Sequence, residues 1–411
     1  IEWVHRLGKR HGVRWSYDVD PLPNGNLFGV ATRPGETVFY ELDVATGEWE
    51  WSTTLNITDT HDADMLDRHR ILIANMRNYD EGSGENDDRI LIYNRTSEEV
   101  VWEWKFREAD YDPEDGGDYA EDWTHVNDVD RIAPGKFLLS PRNFDQVAVL
   151  DRASGEITMR LGRDDDFETM KQQHNPQYLE SEDGNPTILV SDSENDRIVE
   201  DERRGNSWER TWRVGSSETL SWPRDADRLP NGNTLVVDSA NDRVLEVTPE
   251  GEVVWEFYAP WLVYDVERLP YGDEAGGPTI GDQGASGSYE LSNGEPRSPD
   301  DVTSCAAEIR EFENDYAENT TPASTTSTHD QWVTDESATP LGGSDSDQTR
   351  RDSTREGSVT GDEADVTPGG PGGNADDTRT GESTRTPGQP GFELLAAAGV
   401  LVLFVVVRSR R

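Results

Sequence analysis

The chain has 411 residues, with 84 acidic side chains against 38 basic ones, a net charge of −46 and only 33% hydrophobic residues. So acidic a surface repels nucleic-acid phosphates, and an apolar share below the roughly 45–50% of ordinary domains excludes a chain packed throughout. Thirteen Trp, twelve Tyr and ten Phe still supply one sizeable core, and the even spread of acidity fits a protein working in concentrated salt, where counterions screen self-repulsion.

The chain opens on Ile1 rather than Met, which leaves room for a signal or anchor ahead of this numbering. From about residue 15 to 270, short β-type runs alternate with turn residues. The clearest unit is Trp222 to Phe257. Strands are expected at Asp225–Leu229, Thr234–Asp238, Arg243–Thr248 and Glu252–Phe257, separated by the turns at Pro230-Asn231-Gly232-Asn233, Ser239–Asp242 and Pro249-Glu250-Gly251. Four antiparallel strands in this length make one propeller blade.

The head of that unit recurs. Tyr17-Asp18-Val19-Asp20, His61-Asp62-Ala63-Asp64, His125-Val126-Asn127-Asp128-Val129-Asp130, His174-Asn175-Pro176-Gln177, Arg224-Asp225-Ala226-Asp227 and Tyr264-Asp265-Val266-Glu267 all stand before an apolar residue and a turn. The first residues of these phrases are 44, 64, 49, 50 and 40 positions apart. Six heads at blade-like spacing predict an all-β, six-bladed β-propeller over residues 1–270. Ile1-Glu2-Trp3-Val4 resembles an outer strand and is expected to close the last blade. The 3.6-residue stripes of a helical solenoid are absent.

In a propeller the innermost strands begin at one mouth of the central channel. The fold therefore brings together Tyr17, His61, His125, His174, Arg224 and Tyr264. Three of the seven histidines share this phase with an arginine, a set suited to an anionic ligand. Three histidines also suit zinc, but Arg224 opposes a cation, so no metal and no cofactor are expected. The runs Asp192-Ser193-Glu194-Asn195-Asp196 and Asp238-Ser239-Ala240-Asn241-Asp242 lack the Gly and terminal Glu of a calcium loop and read as turns.

Residues 271–316 form an irregular extension rich in Gly and Ser, with Cys305, the sole cysteine, leaving no internal disulfide and no cysteine-based zinc site. From Ala317 to Gln389 only ten of 73 residues are apolar, so a disordered acidic Thr/Ser-rich stalk is expected. Leu394 to Val407 is a 14-residue apolar run followed by Arg408, Arg410 and Arg411. As a helix it reaches about 21 Å, short of the ~30 Å hydrocarbon core, and Phe392 with snorkelling arginines completes a short transmembrane helix. The terminal arginines place the C-terminus inside and the rest of the chain outside, at the cell surface. Pro390-Gly391-Phe392, the helix and the arginines together resemble the PGF-CTERM sorting signal of haloarchaeal surface proteins. That resemblance implies an archaeosortase-type processing enzyme and lipid attachment. The sequons at Asn56, Asn94 and Asn319 fit N-glycosylation of an outward-facing chain.

Asp122-Trp123-Thr124-His125-Val126-Asn127-Asp128, Ser140-Pro141-Arg142, His61-Asp62-Ala63-Asp64 and Gln173-His174-Asn175 resemble the blade motifs of the arylsulfate sulfotransferase family. The likeness covers about residues 15–270. It implies a nucleotide-independent enzyme that moves a sulfuryl group from an aryl sulfate donor to a phenolic acceptor. By blade order His174 matches the residue that takes the group covalently, and His61, His125, Asn127 and Arg142 match the residues around the sulfate. Tyr17, Arg224 and Tyr264 are expected to complete the substrate-binding rim. A protonated His61 or His125 would assist a phenolate whose pKa lies near ~10, and the sequence does not choose between them. The N-terminal domain and disulfide of characterised bacterial members are absent from this sequence. The rival reading is a non-catalytic surface propeller binding an anionic ligand, a glycan or a protein.

Overall fold

A computed structural model describes residues 4–259, 261–272 and 276–296. The stalk, Asn319, Cys305, Pro390-Gly391-Phe392 and the Leu394–Val407 run lie outside the described residues. Among those described, no helix is long and apolar enough to cross a membrane.

Strands dominate, with one five-residue helix, Leu7–His11, ended by Gly12 in the left-handed conformation (φ 71°). The strands form a propeller-like ring of five blades. Blade 1 comprises Trp15–Pro21, Leu27–Arg33, Glu36–Leu42 and Trp49–Leu55. Blade 2 comprises Ala63–Asp67, Arg70–Asn75, Arg89–Asn94 and Glu99–Lys105, with a small hairpin (Tyr79–Asp80 and Glu85–Asn86) inserted. Blade 3 comprises Val126–Ala133, Lys136–Pro141, Gln146–Asp151 and Glu156–Gly162. Blade 4 comprises His174–Glu180, Pro186–Asp192, Arg197–Arg204 and Ser207–Val214, and blade 5 comprises Pro223–Arg228, Thr234–Asp238, Arg243–Val247 and Val253–Tyr258. Within each blade consecutive strands pair antiparallel.

The pattern of side chains explains the order. Middle strands such as Arg70–Asn75 and Thr234–Asp238 are buried almost throughout, because they are covered on both faces by neighbouring blades. The last strand of blade 1, Trp49–Leu55, alternates half-buried and exposed residues, as an outer edge must. Apolar clusters lie between successive blades, for example Trp123, Phe137 and Leu139 against Leu72, Ile90 and Ile92.

The six-blade expectation is corrected to five. The sixth head is present: Tyr264, Asp265, Val266 and Glu267 are buried in the ring, but no strand is formed there among the described residues. It bridges the neighbours instead, through the Asp265 carboxylate, which accepts from Val19 N–H (2.9 Å), and the Val266 N–H, which donates to Asp225 Oδ2 (3.1 Å). After Pro270 the sequence carries no run of alternating β-formers that could pair with the head. The chain turns away, and Gly287–Tyr289 adds a parallel strand to the outer edge of blade 4. The space between blades 5 and 1 is filled by Val4, Val263 and Val266 packed on blade 5, and by Leu7, Val13 and Leu269 on blade 1. Ile1–Trp3 of the expected closing strand lie outside the described residues.

Candidate active site

Each head residue is set by its blade. In blade 3 the apolar drive to bury Trp123 anchors the approach loop in the core, and Thr124 Oγ1 donates to Asp88 Oδ2 (2.7 Å). His125 then adopts a left-handed backbone (φ 42°), the turn that aims its ring at the channel mouth. Second strands deliver a further residue each, in short 3-10 turns: Arg142 in Arg142–Phe144 of blade 3 and Ser193 in Ser193–Asn195 of blade 4.

The rings meet at one point. Tyr17 stacks on His61 with centroids 4.0 Å apart, and His61 meets His125 edge-on at 5.1 Å. Tyr264 packs edge-on against Tyr17, His61 and His174 at 5.1, 5.7 and 6.1 Å. The Arg224 guanidinium lies 3.7 Å from the Trp222 ring and 4.8 Å from that of Tyr264. All six head residues chosen from the repeat are thus gathered. Arg142 joins them: its Nη2 stands 3.8 Å from Asp122 Oδ2, the oxygen that meets His125 Nδ1 at 2.7 Å.

Asn127 is fully buried and its amide donates to the carbonyl of Gln173 (2.9 Å), tying blade 3 to the residue before His174, while its Oδ1 makes no hydrogen bond among the described residues. Likewise Gln173 bonds Ser140 Oγ and the Gln146 carbonyl, and the partner of the His174 ring is Ser193. The distance from His174 Nδ1 to Ser193 Oγ is 2.9 Å, and the Ser193 hydroxyl donates to the Ser191 carbonyl (3.3 Å). That network assigns the proton to Nδ1 and the lone pair to Nε2, which is buried and has no hydrogen-bond partner among the described residues.

Electrostatics keep the imidazoles neutral. Burial, then the charges of Arg224 and Arg142, pushes His174 well below its ordinary pKa. Burial and Arg142 lower His125 to about 3, against the pull of Asp122. His61 is lowered by burial although Asp59 opposes it. Arg224 itself is lowered to about 10 by burial. Burial also raises Tyr17 and Tyr264, so both hydroxyls stay protonated.

Three participants were not singled out from the sequence: Asp59, Arg77 and Ser193. Asp122 stood in the motif without a role. Their only signals are position, Asp59 and Asp122 two and three residues before a head histidine, and Arg77 and Ser193 just after a second strand.

Below the mouth the channel is acidic, lined by Asp18, Asp62, Asp128, Asp130, Asp225 and Asp227. Carboxylates among these accept backbone N–H groups of the next head, as Asp62 Oδ2 does from Val129 N (2.5 Å) and Asp225 Oδ2 from Val266 N (3.1 Å). The two acidic runs are turns, as expected: Asp192 is held by Asn195, Arg197 and the Lys171 N–H, and Asp238 by Asn241, Arg243 and the Ser221 N–H. Of the sequons, Asn56 is exposed, whereas the Asn94 side chain accepts from Thr96 N at 2.9 Å within its turn.

Among solved structures the chain is similar to a protein of unknown function from Bacteroides caccae, 14% identical with a TM-score of 0.41, covering 59% of this chain and 81% of that one. It is also similar to virginiamycin B lyase from Staphylococcus aureus, 10% identical with a TM-score of 0.40, covering 61% of this chain and 72% of that one. No curated protein matches the sequence. Residues 9–209, from the first helix through most of blade 4, match the family model described as Arylsulfotransferase (ASST).

Proposed function

We propose that the protein transfers a sulfuryl group from an aryl sulfate to a phenol, with His174 as the covalent carrier. The observation that carries the reading is the buried, unpartnered Nε2 of His174 at a mouth that also holds Arg142, Arg224, His61 and His125. A neutral imidazole with its lone pair directed inward is a competent nucleophile toward sulfur. In the first step Nε2 forms the N–S bond while the S–O bond to the aryl oxygen breaks, and the departing phenolate takes a proton. In the second the acceptor phenol gives up its proton, its oxygen bonds to sulfur and the N–S bond breaks. Arg142 and Arg224 face the non-bridging oxygens, whose charge must be met in both transition states.

His125 fits the proton transfers better than His61. Both nitrogens of His61 are engaged, Nδ1 by Tyr264 Oη (3.3 Å) and Nε2 by Asp59 (3.6 Å), whereas His125 uses only Nδ1. A bound sulfate ester adds negative charge beside His125 and raises its proton affinity, so it is protonated where the leaving group needs it. The aromatic rings of Tyr17, Trp222 and Tyr264 around the mouth suit an aryl donor.

Wild-type protein incubated with an aryl sulfate and no acceptor should gain the mass of one SO3, mapped to His174 under alkaline conditions. His174→Ala should lose turnover by at least about 10⁴-fold while remaining folded. An adduct on His61 or His125 would move the nucleophile, and no adduct with any donor at high salt favours a propeller that only binds anions.

A further inference from the structure

We infer that Arg77 is a positioning residue that ties two carboxylates together and so fixes the His61 and His125 imidazoles in opposite tautomers. Arg77 follows the second strand of blade 2, as Arg142 follows that of blade 3. Its guanidinium forks onto Asp122, with Nε 3.0 Å from Oδ1 and Nη2 3.3 Å from Oδ2, and its Nη1 reaches Asp59 Oδ2 at 2.8 Å. Each carboxylate then faces one histidine. Asp122 Oδ2 meets His125 Nδ1 at 2.7 Å, so Nδ1 carries the proton and Nε2 the lone pair. Asp59 Oδ1 lies 3.6 Å from His61 Nε2, an electrostatic pairing that favours the proton on that nitrogen and leaves Nδ1 to accept from the Tyr264 hydroxyl at 3.3 Å.

The backbone at Arg77 supports a purpose beyond packing. Its φ of 60° lies in the left-handed region, where glycine is at ease and an arginine is strained. The side chain is 40% exposed, so burial does not hold it there. What holds it is the pair of carboxylates. Burial alone would push Asp59 and Asp122 up, and their histidines together with Arg77 keep both below the usual carboxylate range. Lysine offers one point charge in place of this planar fork and cannot span both acids with the same geometry.

The other groups that bear on these rings are accounted for. His125 faces Asp122 on its own loop, Arg142 from the second strand of its blade, and His61. His61 faces Asp59, Arg77 and Arg224, with the Tyr17 and Tyr264 rings against it. His174 of blade 4 lies within the field of both histidines. Removing Arg77 withdraws a cation from His61 and releases Asp59 and Asp122 to their histidines, so both imidazoles should bind protons more readily.

The test uses the full chain with ¹⁵N-labelled histidine, titrated by long-range ¹H–¹⁵N spectra, with Arg77→Gly and Arg77→Lys as variants. Wild type should show the two opposite tautomers. In Arg77→Gly, which relieves the backbone, both titrations should move up by about one pH unit or more with no loss of folding stability. Arg77→Lys should recover part of the shift for one histidine only. The kinetic consequence rests on the sulfuryl-transfer reading: kcat should fall about tenfold with KM unchanged, and the acid limb of its pH profile should move up with the imidazole. Unmoved titrations, or the same tautomer for both rings, overturn the role of Arg77. Absence of any transfer by the wild type would sink the sulfuryl reading while the titrations still decide this one.

Discussion

A histidine kept neutral inside a protein is a nucleophile in waiting and also a liability in acid. His174 is 1% exposed, and burial with Arg224 and Arg142 beside it holds its pKa well below 6.5. Below pH 6.5 the unfolded chain takes up a proton there that the folded chain refuses. Stability from this group is therefore complete above the unfolded pKa and is lost as pH falls toward the folded value, at about 1.4 kcal/mol per pH unit. Asp145 acts with the opposite sign: burial raises it to about 6, so it is protonated in the folded state where the unfolded chain is ionised. That contribution is common to wild type and variant and cancels in their difference. His174→Ala should therefore show a shallower fall of unfolding free energy between pH 6 and 5, by about 1.4 kcal/mol per unit, whatever its offset from the lost packing. Denaturant melts at a series of pH values read the slope, and parallel curves would mean that the ring titrates normally in the fold.

The blade is the element in which sequence and structure agree best. Strands expected at Thr234–Asp238 and Arg243–Thr248 are found at Thr234–Asp238 and Arg243–Val247, because Asn-Gly and Glu-Gly turns leave the register little freedom. The heads were legible for the same reason, since one phase of one repeat must fall on one channel mouth. What escaped was the sixth blade, whose head is a true repeat without partner strands. Asp59 and Arg77 escaped because they sit in loops whose course the repeat does not specify, and Ser193 because its turn recurs as Ser239 in blade 5, where no head histidine stands. The sixth head nevertheless closes the ring through Asp265, whose carboxylate accepts the Val19 N–H at 2.9 Å inside a buried site. Asp265→Ala leaves that N–H unpaired, at a cost of about 1–3 kcal/mol. It should also loosen Tyr264, the ring that touches Tyr17, His61 and His174. We expect a lower melting midpoint and weaker donor binding together. A variant as stable as wild type would mean that Val4, Val263 and Val266 close the gap by packing alone.

Across the whole molecule a cationic mouth sits in a chain of net charge −46. On the proposed sulfuryl-transfer reading, an aryl sulfate anion approaching from a distance meets the summed field of the acids, and only within a few ångströms does it meet Arg142 and Arg224. The Debye length is ~30 Å at 0.01 M salt and ~3 Å at 1 M, so added salt removes the long-range repulsion first. The short-range attraction is partly buried and is screened much less. For an enzyme whose capture of donor contributes to kcat/KM, the rate constant should therefore rise as salt increases from 0.05 to 1 M, by about tenfold or more. A neutral phenol acceptor feels neither field, so its own kcat/KM should change far less. The comparison separates the electrostatics of approach from salt effects on folding, which would act on both substrates alike. Melting curves at each salt concentration fix the folded fraction to which the rates are normalised. A donor kcat/KM that falls with salt would show that the mouth, not the surrounding acids, governs the approach of the anion.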